Sequence, residues 1–307
     1  MEKRAKQLKW VKLILAGIVV VVGLGLGVKE YQTSQVLGHS QYRFNMALIV
    51  PDTGITFVSF DPSEKSILSL VFPTDMAIST RSSGEYSISS LYKLGSYRGQ
   101  GGKFARQKIQ GFMRVPIPGY VVANTHRKQV RSNLKSALLR VIIGRSETSL
   151  SKFDAIYLYY RANRYSLREV DEEELVRSAV IEKGEKGSLY HPERLQEYVG
   201  TRLFDWGIGA TGVTVAIVNE SGENGLGSDM ADFLTNLGLD VVMVRSVTNN
   251  QLLENTEWQV GGDVNTSEIG YIFENLFGLD SPKMESVPEE YRAKVLIRVG
   301  KDAKELF

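Results

Sequence analysis

The chain has 307 residues, 43% of them hydrophobic and 23% charged, with a net charge of +2; it can build two folded domains and lacks the composition of a disordered polymer. It contains no cysteine, which excludes disulfides, thiolate nucleophiles and cysteine-based zinc sites. Near-neutral charge implies no global attraction to nucleic acid, and His39, His126 and His191 are scattered without helix-borne zinc spacing, so surface or capping roles are expected.

The chain is organised around residues 11–28, VKLILAGIVVVVGLGLGV, apolar except for Lys12 and close to the roughly 17–25 residues that cross a bilayer as a helix. Lys3, Arg4, Lys6, Lys9 and Lys12 precede or open the run, whereas only Lys29, offset by Glu30, follows it, which predicts a cytoplasmic N-terminus. A cleaved signal peptide has the same charge order, but its apolar region is usually shorter and no Ala-x-Ala-like site follows Val28. Residues 1–30 therefore read as a cytoplasmic tail and uncleaved transmembrane anchor, with the bulk of the chain extracytoplasmic on a single-pass cell-membrane protein.

Residues 30–41 are polar and aperiodic, as in a short tether. The runs 46–50, 55–62 and 66–73 are rich in β-branched and aromatic residues and are separated by turn-forming 51–54 and 61–64, predicting a hairpin and a third strand of the same sheet. A further strand is expected at 74–80 and a helix near 88–94. Gly95, Gly99, Gly101 and Gly102, interleaved with Tyr97, Arg98 and Lys103, suggest a mobile basic loop. A helix at 103–112, closed by Gly111 and the prolines beyond, leads to a strand at 119–123.

From 125 to 143 the apolar period Val130, Leu134, Leu138, Val141 predicts a helix. Its other side is basic, with His126, Arg127, Lys128, Arg131, Lys135, Arg140 and Arg145, and reads either as a solvated face or as a contact for anionic lipid or polymer. Residues from 150 read as a helix with an aromatic stripe or a helix passing into a strand, its tyrosines in core and rim. The acidic stretch 171–176 and the charged, glycine-containing 182–187 read either as a loop or as a lead-in to a helix at 191–198, and the region 31–208 closes before about Gly209.

At Gly212 the pattern becomes a compact βαβ unit, with a strand at 213–218, a glycine-rich turn, a helix at 226–237 capped by Gly238 and a strand at 240–244. A helix at 265–277 and a strand at 294–299 complete a small α/β layer domain, 209–307. The turn 219–228 lacks the Lys-Ser/Thr ending of a P-loop, and its glycines do not give G-x-G-x-x-G, so it reads as a plain tight turn. No serine lies in a nucleophile elbow, and the carboxylates at 171–174 read as surface charge.

Two stretches carry a resemblance. Phe57-Val58-Ser59-Phe60-Asp61-Pro62, followed by Ser69-Leu70-Val71-Phe72-Pro73-Thr74-Asp75, resembles the LytR-CpsA-Psr family, in which an S-x-D-P hairpin leads into a strand ending in P-R-D. Tyr86-Ser87-Ile88-Ser89-Ser90-Leu91-Tyr92 with Gly101-Gly102 looks like the family's K-I-N-x-A-Y … G-G element, and 212–244, with Ala293–Asp302, is similar to the family's separate C-terminal domain. The resemblance implies an α/β/α sandwich for 31–208 and enzymes that move glycopolymers from a polyprenyl pyrophosphate to the cell wall, using arginines and a magnesium-binding aspartate.

Within that resemblance Asp75 is retained and is the implied magnesium ligand. Thr74 replaces the arginine of P-R-D, and Ser87 and Ser89 replace the Lys and Asn of K-I-N; Arg127-Lys128-Gln129 is at best a remnant of an Arg-x-x-Arg-Gln helix. Arg81, Arg98, Lys103 and Arg106 are the cations that could substitute at a pyrophosphate, and Lys103, Arg127, Lys128 and Arg131 are candidate ligand contacts. Losing one placed donor costs on the order of 10²–10³ in rate, so a degenerate, binding relative is expected, without a cofactor, with magnesium needed only if phosphotransferase chemistry persists. Its expected partners are the membrane, a lipid-linked or anionic envelope polymer, and a protein docking on 209–307.

Overall fold

The computed structural model describes residues 34–36, 39–80, 84–123, 129–184, 187–247, 252–261, 269–277, 279–282 and 286–306. The expected anchor at 11–28 lies outside them, and among the described residues no helix is long and apolar enough to cross a membrane.

The three strand-forming runs fold as β1 (Phe44–Val50), β2 (Gly54–Asp61) and β3 (Ser66–Val71), and a hairpin of β4 (Ala77–Thr80) and β5 (Gly84–Ser87) follows. Then come α1 (Leu91–Ser96), α2 (Gly101–Met113), β6 (Gly119–Val122), α3 (Val130–Ile142), α4 (Lys152–Arg164) and β7 (Ser166–Val170). The first unit ends with α5 (Glu172–Arg177), the hairpin β8 (Ile181–Gly184) and β9 (Gly187–Tyr190), and α6 (Pro192–Arg202).

Five strands form one mixed sheet in the order β6-β1-β2-β3-β7, antiparallel at β1–β2 and β2–β3 and parallel at both edges. Side-chain alternation sends Ala47, Ile49, Ile55, Phe57 and Leu70 to one face, where α1, α2 and α6 cover them. Phe44, Met46, Leu48, Val58 and Phe60 go to the other, beneath α3 and α4. The unit is thus a helix–sheet–helix sandwich.

Several expectations need correction. Gly95, Gly101 and Gly102 are helical rather than loop residues: a Cβ on Gly95 would lie 2.6 Å from that of Phe104, and one on Gly102 2.2 Å from the Tyr120 ring, so these glycines permit close packing of α1, α2 and β6. Gly111 lies inside α2, which stops instead at Arg114 in the left-handed region (φ 50). The strand expected at 74–80 starts only at Ala77. The acidic stretch is a helix, because Asp171 accepts from the Glu174 amide as an N-cap and three glutamates sit in its first turn, and the charged glycine-containing segment after it is the hairpin β8–β9. Of the two readings from residue 150, the helix passing into a strand holds.

The second sheet comprises β10 (Thr214–Asn219), β11 (Asp240–Ser246), β12 (Glu257–Val260) and β13 (Val295–Val299) in the order β11-β10-β13-β12. α7 (Leu226–Leu237) crosses between the parallel pair β10 and β11 and ends at Gly238 with φ 111, as the glycine predicts. Its Met230, Phe233 and Leu234 pack with Trp258, Phe273 and Ile297. The helix expected at 265–277 is described only from 269, with a π-helical turn at Tyr271–Leu276, and β12 has no counterpart in the sequence expectations.

The two units are joined by specific polar contacts. Arg114 forms ion pairs with Asp229 (2.7 Å) and Asp232 of α7, and its carbonyl accepts from Asn236 Nδ2 (2.9 Å), which also donates to Gln196 of α6 (2.9 Å). Asp205, in the connection, accepts from the Arg43 amide (2.6 Å) ahead of β1 and caps the single turn Trp206–Gly209. Burial raises the Asp205 pKa above its ordinary value, opposed by those backbone amides.

Candidate functional site

The positions that match the family's P-R-D and K-I-N elements do come together in space. Thr74 and Asp75 lead into β4, whose partner β5 ends at Ser87, and the backbone is locked there by Ile88 N donating to Met76 O (3.0 Å). Ser87 Oγ donates to Thr74 O (3.0 Å) and lies 2.8 Å from Ser89 Oγ. Asp75 is exposed and accepts from Ser188 Oγ of β9 (3.3 Å), and Gly187 is packed so closely on it that a Cβ would lie 3.2 Å from Asp75 O.

This corner therefore holds one carboxylate among hydroxyls. The cation that responds to Asp75 is Lys183, whose pKa is raised first by its hydrogen bond to Glu172 and then by the charges of Glu172, Glu173 and Asp75. Among the described residues no three His, Asp or Glu side chains converge as a metal-binding set. Magnesium usually takes one or two protein carboxylates and completes its shell with water and substrate phosphates, so among the described residues Asp75 is the side chain at this corner that would hold it, without an all-protein cage.

The remaining cations are placed elsewhere. Arg98 stands over the Phe104 ring (5.6 Å to its centroid), with Lys108 over the same ring (5.5 Å). Burial lowers the Lys108 pKa, helped by Arg98 and opposed by Glu305. Lys103 and Arg106 line a cavity of about 400 Å³ between the two units, with Gln107, Gln110, Tyr120, Phe277 and Leu306. Arg106 donates to Ile117 O (2.7 Å) and Gln110 Oε1 (3.4 Å); burial lowers its pKa and Tyr120 opposes this, and an arginine so placed stays cationic. Glu147 accepts from Gly102 N (2.8 Å) at the start of α2 and from Tyr92 OH (3.0 Å).

Arg131 is not available as a ligand contact. Its guanidinium donates to Ala162 O and Tyr165 O (both 2.9 Å), satisfying carbonyls at the end of α4. Arg81, Arg127, Lys128 and His126 lie outside the described residues. His191 precedes α6 without capping it and its Nε2 is 3.3 Å from Glu182, while His39 is half-buried and its pKa is lowered by that burial.

Sequence reasoning missed a polar clamp on the supposed tether. The Asp154 carboxylate, fully buried in the first turn of α4, accepts from Ser34 Oγ (2.6 Å), Gln35 N (3.3 Å), Val36 N (3.0 Å) and Ser151. Two turns further on, buried Arg161 donates to Ser40 O (2.6 Å). The only sequence signal was Ser151-x-x-Asp154, a capping box that marks a helix start but not the chain laid against it.

Residues 212–302 match the family model described as LytR cell envelope-related transcriptional attenuator. No curated protein matches the chain. Solved structures similar to it include B. subtilis TagT, at 12% identity over 52% of this chain and 89% of that one with a TM-score of 0.39. Another is the LytR-CPS2A-psr family protein YwtF (TagT) with bound octaprenyl pyrophosphate lipid, at 13% identity over 51% and 87% with a TM-score of 0.37. A transcriptional regulator from Enterococcus faecalis shares 12% identity over 66% and 90%, with a TM-score of 0.40. The second α/β unit is thus a LytR-type C-terminal domain.

Proposed function

We propose that the chain is a membrane-anchored, extracytoplasmic protein of cell-envelope assembly that binds an envelope polymer, a lipid-linked precursor or a partner protein without turning it over. The observation that carries this reading is the corner at Asp75. Phosphoanhydride cleavage requires dense positive charge on the phosphoryl oxygens, and Thr74, Ser87 and Ser89 are uncharged instead, with the Ser87 and Ser89 hydroxyls bonded to each other and Ser87 Oγ donating to the Thr74 carbonyl. Arg98, Lys103 and Arg106 are engaged with Phe104 or with the interdomain cavity rather than with Asp75. That cavity, with two cations, glutamines and an apolar wall, suits binding of an anionic group that carries apolar substance.

The test uses the full chain reconstituted in vesicles with a polyprenyl-pyrophosphate-linked glycopolymer. Retention of the polymer without release of polyprenyl phosphate or pyrophosphate, with or without magnesium, is the expected result. Magnesium-dependent transfer that Asp75→Ala abolishes would show instead an active phosphotransferase.

A further inference from the structure

The helical layer of α3 and α4 covers one face of the five-stranded sheet and has no protein layer on its outer side among the described residues. Two rows of large apolar side chains stand on it. Leu139 of α3 and Ile143 at its C-cap are one turn apart, at 44% and 60% exposure, and Ile156 and Tyr160 are one turn apart on α4, both at 49%. The Arg131 bonds to Ala162 and Tyr165 join the start of α3 to the end of α4, so the helices run antiparallel and the two rows stand on neighbouring helices of one layer. Isolated exposed apolar residues are ordinary; four adjoining ones on a helical layer are a patch.

The exposed charge on these two helices has one sign. α3 contains no acidic residue, and the single acid of α4 is Asp154, which is buried and committed to residues 34–36. Lys135 and Arg140 lie on α3 with Leu139, Arg145 follows Ile143 by two residues, and Arg164 of α4 lies over the Tyr160 ring (4.6 Å). Long basic side chains bordering leucine and isoleucine fit the boundary between acyl chains and anionic headgroups, where the cations reach the phosphates while the apolar groups sink below them.

The chain path favours the same occupant. Asp154 holds Ser34 at the N-terminal end of α4, beside Lys152 and Ile156. On the reading that 11–28 crosses the bilayer, on which this inference rests, residues 29–33 are all that separate the membrane from that clamp. Five residues at about 3.3–3.6 Å each reach less than about 20 Å. The α4 end of the patch is held within that distance of the lipid surface.

We infer that the outer face of α3 and α4 rests on an anionic bilayer surface and fixes the orientation of the exported body on the membrane. The chain has no cysteine of its own, so Ile143→Cys, Ile156→Cys and, as control on the β8–β9 hairpin, Leu189→Cys (57% exposed in the native protein) each give one labelling site. The full chain carrying an environment-sensitive fluorophore at one of them is reconstituted into phosphatidylglycerol–phosphatidylcholine vesicles containing nitroxide-labelled lipid. At least twofold stronger quenching at 143 and 156 than at 189 is expected, reduced by Arg140→Glu with Arg164→Glu and by high salt.

Equal quenching at all three sites in vesicles that retain the chain through a carbonate wash would overturn the docking while leaving the anchor intact. Loss of the chain in that wash would overturn the anchor and the docking with it. A concentration-dependent shift at 143 and 156 in detergent without vesicles would assign the face to a second copy of the chain.

Discussion

The two helical layers of the first α/β unit cover the same sheet but are used in opposite ways. The layer of α1, α2 and α6 is itself covered: Arg114, at the end of α2, and Gln196 of α6 bind α7, and the C-terminal residues Phe277 and Leu306 close over Lys103 and Arg106. The layer of α3 and α4 instead turns a basic and apolar surface outward and grips the incoming chain through Asp154 and Arg161. Identical strands thus feed a covered face that borders the interdomain cavity and an open face that receives residues 34–40. Both layers pack apolar clusters on the sheet, and the difference lies in the other surfaces of their helices.

The largest expected effect is on the clamped side. Asp154→Ala leaves the amides of Gln35 and Val36 and the hydroxyl of Ser34 without their acceptor in a buried setting, with a cost of about 3 kcal/mol or more in denaturant unfolding. Unchanged stability would mean that residues 34–36 are not held on α4. On the covered side, Arg114→Met removes both ion pairs to α7 and leaves Asp229, which is nearly buried, without that partner; a loss of about 2 kcal/mol and a separation of the two units' thermal transitions are expected. Because this contact is on the layer opposite Asp154, the two losses should add.

A smaller effect concerns proton binding beside the cavity. Burial first, and then Glu147, raises the pKa of Tyr92 and of Tyr120. A phenol whose folded pKa is above the unfolded 10.0 contributes stability that is complete below pH 10 and is lost as pH rises through the raised folded value. Glu147→Gln should therefore move the alkaline absorbance titration of these tyrosines to lower pH while burial keeps them above the ordinary value. An unshifted titration would place Glu147 away from both hydroxyls.

Much of the fold was legible because it follows from periodicity. β1 to β3 are runs of β-branched and aromatic residues between turn residues, and the βαβ unit from Thr214 to Ser246 carries its helix stop at Gly238 in plain view. What misled was residue type used in an uncommon way. Glycines at 95, 101 and 102 serve helix packing, and charged residues at 181–184 form a hairpin strand whose side chains are mostly exposed. β12 is four residues long and buries Trp258 through tertiary contacts that no local pattern announces.

Less of the site was legible. The motif positions 74, 75, 87 and 89 were found from the sequence, and they do meet; whether Arg98, Lys103 and Arg106 join them depends on three-dimensional placement, and they face Phe104 and the interdomain cavity instead. Arg131 looked like a surface cation and is spent on the carbonyls of α4, an interaction between residues more than thirty positions apart. The tether at 34–40 looked featureless because its partners, Asp154 and Arg161, lie more than a hundred residues later.

The central claim is binding without turnover, and its most direct test is a single measurement on the full chain in vesicles. Release of polyprenyl phosphate from a polyprenyl-pyrophosphate-linked glycopolymer is followed with and without magnesium, alongside polymer retention. The account predicts retention with no release above the protein-free rate, unchanged by Asp75→Ala. Release that depends on both magnesium and Asp75 would contradict it.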